Sequence, residues 1–84
     1  MFSNSIKVNN QTGIHARPAS GIVNIANKYN DDVNLINGDK TANGKSLINI
    51  LALSMKCGDE VIVESKNEAA VNEITAYIDA LKED

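Results

Sequence analysis

An α+β fold, with helices packed on one face of a sheet, follows from three features of the sequence. Apolar residues alternate in short stretches, and they recur at three- and four-residue spacing in others. The two kinds of stretch interleave in the order β-α-β-β-α-β-α. The first two strands are joined through a helix, which makes them parallel and right-handed if they share a sheet. A fourth strand between them, antiparallel to both, completes a split β-α-β arrangement. Related α+β sandwiches satisfy the same order of elements, so strand order stays open at this point.

The first strand runs from Phe2 to Val8, with Ile6 and Val8 on one face. Gly13 frees the following turn to reach unusual φ. Pro18 suits a first helical turn, where its missing N–H has no partner to lose. Arg17 precedes that proline and is biased away from αR, so the helix start is fixed only to within one or two residues. The first helix extends from Ala16 to Asn27 or Lys28 and buries Ala19, Ile22, Val23 and Ala26. Residues 27–32 break the pattern, and Tyr29 closes over the helix end. The second strand is Asp32–Asn37, with Val33 and Leu35 on one face. Asn37-Gly38 is a hairpin turn into a polar third strand, Lys40–Asn43, expected at an edge.

Ser46 is a good N-cap for a second helix over Leu47–Leu53. Its capping box is incomplete, because position 49 is Asn rather than Glu or Gln. Ile50, Leu53 and Met55 supply the core face. Leu47, Ile48 and Leu51 form a second apolar stripe in excess of it. Either all are buried, or the second stripe is an exposed patch suited to docking. Lys56–Asp59 turns into a fourth strand, Glu60–Ser65, with Val61 and Val63 facing one way. A third helix starts near Asn67 or Glu68 and carries Ala70, Val71, Ile74, Ile78 and Leu81. Glu68 and Glu73 toward its start and Lys82 near its end suit the helix dipole.

Eighty-four residues, 43% hydrophobic and 23% charged, are read as a single globular domain, 1–84. A net charge of −3 without a basic block argues against nucleic acid as a partner. No apolar run approaches the roughly 20 residues that cross a bilayer, and the polar N-terminus does not resemble a signal peptide. Cys57 stands alone, which excludes an internal disulfide and a cysteine metal cluster. These features fit a cytoplasmic protein with no membrane association and no metal or other cofactor.

The chemistry concentrates at residues 12–20, which hold the chain's sole histidine, arginine and proline. His15 sits where the strand has ended and a helix begins. A helix start offers unpaired amides and a partial positive charge, both suited to an anion. Ala16 and Arg17 supply those amides, since Pro18 has none. The Arg17 guanidinium can grip phosphate oxygens at two points. An imidazole there can act as a nucleophile whose phosphoryl adduct lands in a ready anion site. The plainer alternative is a histidine at a cap position beside a surface arginine. A Cys57–His15 hydrolase pair lacks a third, orienting group.

The string Gly13-Ile14-His15-Ala16-Arg17-Pro18-Ala19 closely resembles the active-site motif of the HPr family, the histidine-containing phosphocarriers of the bacterial sugar phosphotransferase system. Asn43-Gly44-Lys45-Ser46-Leu47-Ile48 resembles that family's second signature, and the likeness spans essentially the whole chain. It implies an open-faced β-sandwich, a four-stranded antiparallel sheet in the order 1-4-2-3 with three helices on one face. It also implies that His15 accepts a phosphoryl group at Nδ1 from Enzyme I, ultimately from phosphoenolpyruvate. His15 then passes it to a sugar-specific enzyme IIA, with Arg17 assisting. The chain is in this sense a substrate of other enzymes rather than an enzyme. In Gram-positive relatives the serine matching Ser46 is phosphorylated by HPr kinase/phosphorylase, and a transcriptional regulator is a further partner. Members usually act as monomers. A nitrogen-branch carrier and a regulatory binding module are alternatives on the same fold; known modules of the latter kind replace the histidine. Asn49, often small in the family, and Ser54, usually glycine, depart from the pattern.

Overall fold

The computed structural model describes residues 1–81. Strand β1 (Phe2–Lys7), helix α1 (Ala16–Ala26), β2 (Val33–Asn37), β3 (Lys40–Asn43), α2 (Leu47–Ala52), β4 (Glu60–Ser65) and α3 (Glu68–Ala80) follow in chain order. The sheet is antiparallel throughout, in the order β1-β4-β2-β3. The central strand β4 aligns Val63 with Asn4 of β1 on one side and with Leu35 of β2 on the other. The polar hairpin strand β3 lies at the edge, as its composition predicts.

The pleat explains which residues meet the helices. Val33, Leu35, Val61 and Val63 are buried, whereas their neighbour Ile62 is 39% exposed on the bare face, beside Ile36 of β2. The three helices cover the other face and close one hydrophobic core. Ile22 of α1, Ile50 of α2, and Ile74 and Ile78 of α3 are fully buried. Burying such a side chain contributes about 1.5–3 kcal/mol. Val8 lies just beyond β1 yet is buried, and Val23 is half-buried where full burial was expected.

Polar groups tie the layers at their ends. Asn67 caps α3 by accepting from the amides of Ala69 and Ala70. Buried Ser65 donates to the Asp32 carbonyl at 2.6 Å and accepts from the Asn67 amide. Tyr29 does close over the end of α1: its hydroxyl donates to Glu73 of α3 at 2.5 Å, and Lys28 pairs with the same carboxylate. That shared grip by the Lys28 ammonium and the tyrosine hydroxyl holds the Glu73 carboxyl below its ordinary range, and the same contact raises Lys28 and Tyr29. Leu81 is the C-cap of α3; Lys82 lies outside the described residues.

Candidate functional site

Between β1 and α1 the chain makes a braced turn. The Gly13 amide donates to the Asn10 carbonyl at 3.1 Å, and Asn10 Nδ2 donates back to the Gly13 carbonyl at 2.6 Å. Gly13 has φ +72, and a Cβ there would stand 2.5 Å from the Met55 carbonyl oxygen. Both facts restrict the position to glycine. The next amide, Ile14 N–H, donates to that same Met55 carbonyl at 2.9 Å. The exit of α2 thus fixes the backbone that immediately precedes His15.

His15 is the N-cap residue of α1, in extended conformation, yet its side chain makes no capping bond. The imidazole is exposed and has no hydrogen-bond partner among the described residues, which separates it from a histidine used as a plain cap. The first helical bond runs from the Ala19 amide to the His15 carbonyl at 2.9 Å. Pro18 has no N–H, so the amides of Ala16 and Arg17 are the free donors at this terminus, without an acceptor among the described residues. No acidic residue occupies the first turn, so α1 itself supplies no side chain that offsets the partial positive charge there. Arg17 is exposed and has no carboxylate partner among the described residues. Pro18, by contrast, is buried and anchors the turn.

An open cleft of about 410 Å³ lies over this terminus, lined by Asn10, Thr12, His15, Arg17, Pro18 and the α3 end at Ala80 and Leu81. His15 and Arg17 are brought together there, with Ala16 between them in the chain. Asn10 and Thr12 were not singled out from sequence. The signal present was the spacing of Asn10 and Gly13, a turn pattern, but the burial of Asn10 depends on contacts that sequence does not display. No group of three or more histidine, cysteine, aspartate or glutamate side chains that could hold a metal occurs among the described residues. The Cys57 sulfur lies 3.8 Å from the Asn9 carbonyl.

Ser46 and the apolar stripe form a second region. Ser46 caps α2 by accepting from the Asn49 amide. Ile50 is fully buried, and Leu53 and Met55 nearly so. Leu47, Ile48 and Leu51 are 38%, 78% and 39% exposed, so the second stripe of α2 lies at the surface. The neighbouring Lys45 reaches back to donate to the Tyr29 carbonyl at 2.7 Å. At the far end of α2, Ser54 adopts φ 51, the left-handed conformation that glycine accommodates most easily.

Comparison with known proteins gives a consistent result. The family described as "PTS HPr component phosphorylation site" matches residues 2–81. The phosphocarrier protein HPr of Mycoplasma capricolum is 32% identical over 69 residues, 82% of this chain and 78% of that protein. The multiphosphoryl transfer protein of Salmonella typhimurium is 33% identical over 84 residues, 96% of this chain but 22% of that longer protein. The crystal structure of HPr from Bacillus anthracis superposes with a TM-score of 0.84 at 28% identity, covering 90% of this chain and 94% of that one.

Proposed function

The chain belongs to the HPr family of phosphotransferase-system phosphocarriers, and on that premise we propose that His15 carries the phosphoryl group. It takes the group from Enzyme I, charged by phosphoenolpyruvate, and delivers it to sugar-specific enzyme IIA. The chain acts as one domain, as a monomer, and is turned over by its partners. The observation that carries this reading is an exposed imidazole, without a hydrogen-bond partner among the described residues, at a helix terminus whose Ala16 and Arg17 amides and neighbouring arginine are likewise unpaired among those residues.

In the transfer the bond from phosphorus to the donor breaks as the bond to His15 Nδ1 forms, and the charge spreads over the phosphoryl oxygens. The Ala16 and Arg17 amides and the Arg17 guanidinium face that charge. One charge-assisted hydrogen bond is worth about 1.5–3 kcal/mol, and an anion at a helix start about 0.3–1 kcal/mol. These are modest sums. They suit a carrier, which must hold the group and then give it up. A surface turn also leaves the phosphohistidine open to the next acceptor.

The similarity to a multiphosphoryl transfer protein supports partners of the phosphoryl-transfer kind. Leu47, Ile48 and Leu51 are read as the surface those partners cover. Ser46, at the edge of that patch, is read as a regulatory phosphorylation site for HPr kinase/phosphorylase; a phosphate there adds about −1.5 to −2 charges and opposes partners that bury the patch. The function is tested by incubation with Enzyme I and phosphoenolpyruvate followed by mass spectrometry of the intact chain. One added, acid-labile phosphoryl group is expected. An unmodified mass under conditions that charge a known carrier overturns the reading.

A further inference from the structure

Position 49 departs from the family pattern, and the departure has a structural counterpart. Ser46 Oγ accepts two hydrogen bonds, from the Asn49 backbone amide at 3.3 Å and from Asn49 Nδ2 at 3.1 Å. A hydroxyl has two acceptor lone pairs and one proton. A helix cap engages one lone pair through a backbone amide. Here the side chain of the same residue takes the other. Both lone pairs are held by Asn49, and the hydroxyl proton alone is uncommitted among the described residues.

We propose that Asn49 restrains Ser46 as a phosphoryl acceptor, its carboxamide having to release Oγ before that oxygen can attack. The inference deepens, and rests on, the reading of Ser46 as a regulatory phosphorylation site. In the step concerned, an ATP-dependent serine kinase presents the γ-phosphate in line with Oγ. The Oγ–phosphorus bond forms as the bond from the γ-phosphorus to the departing ADP oxygen breaks, and the hydroxyl proton passes to a base on the kinase. Attack needs a lone pair directed at phosphorus. The side-chain bond is the shorter of the two restraints, and it can be removed without touching the cap. Asn49 is exposed and lines a groove beside α2 with Ile48 and Leu53, so nothing buried depends on its carboxamide.

The test compares the native chain with Asn49→Ala, which keeps the backbone donor and favours the helix. Each is incubated with HPr kinase and ATP, with Ser46→Ala as the control for phosphate elsewhere. The expected result is a kcat about fivefold higher for Asn49→Ala, the factor carried by one neutral hydrogen bond, with KM for the protein unchanged and the chain folded. An equal or lower kcat overturns the restraint and leaves the reading of Ser46 standing. Phosphate on Ser46 in neither protein overturns that reading and the inference with it. A second measurement needs no kinase. In Ser46→Ala the side-chain amide resonances of Asn49 should move toward those of a free carboxamide. Unmoved resonances would show that Asn49 does not hold Ser46, and the inference would fall.

Discussion

Replacing Ser54 with glycine should stabilise the protein, and the structure sets the size of the gain. Ser54 stands at φ 51, where an L-residue with a Cβ is strained by about 1–2 kcal/mol. Its side chain is exposed and makes no hydrogen bond among the described residues, so its removal forfeits no contact. Glycine also loosens the unfolded chain, which offsets about 0.4–1 kcal/mol of the relief. Taking the middle of each range, the net gain is about 0.8 kcal/mol, or roughly 3–6 °C in Tm for a domain of this size. Thermal unfolding and a urea titration measure it, with the midpoint rising and the slope unchanged. Ser54→Ala serves as the control, because alanine retains the Cβ and should give no gain. Equal stabilisation by alanine and glycine would refute the argument from backbone conformation; so would a glycine variant no more stable than the native chain.

Three further outcomes follow from the site and its supports. Arg17→Ala should leave Tm within about 1 °C while slowing transfer to His15 about ten- to a hundredfold, the factor of one lost charge-assisted bond; a large loss of stability with normal transfer would reverse its role. Ile48 is 78% exposed, so Ile48→Asp should shift stability by less than about 0.5 kcal/mol yet weaken binding of Enzyme I in a titration; unfolding would instead place Ile48 in the core. Asp59 accepts from the Lys56 amide and from Asn37 Nδ2, which holds its carboxyl below the ordinary 3.8. Its contribution is complete above that value and is lost as pH falls through the lowered folded pKa. Asp59→Asn should therefore be less stable than the native chain above pH 3.8, with the deficit shrinking in unfolding curves recorded at successively lower pH. A deficit constant with pH would refute it.

The legible parts of the fold were those written in local pattern. Alternation at Val33 and Leu35, and at Val61 and Val63, marked the faces that the structure buries. The surplus of apolar residues in α2 left two outcomes open, burial of all or an exposed second stripe, and the structure shows Leu47, Ile48 and Leu51 exposed. Gly13 and Pro18 bracketed the turn that carries His15. Strand order was not legible without the family resemblance, since pairing of β4 between β1 and β2 is a long-range choice. For the same reason sequence did not show the brace of Ile14 against Met55, or the burial of Asn10 under the His15 turn. The helical spacing of Val23 predicts a core position, but the side chain is only partly covered. The second bond from Asn49 to Ser46 was hidden because the capping-box rule looks for Glu or Gln at that position.

The central claim, that His15 receives the phosphoryl group, is tested most directly by locating that group on the ring. After charging by Enzyme I and phosphoenolpyruvate, phosphorus-31 and nitrogen-15 spectra should place it on His15 Nδ1. His15→Ala, which removes a side chain without a hydrogen-bond partner among the described residues, should fold normally and remain unlabelled. Phosphate on another residue, or undiminished labelling of a folded His15→Ala, would contradict the account.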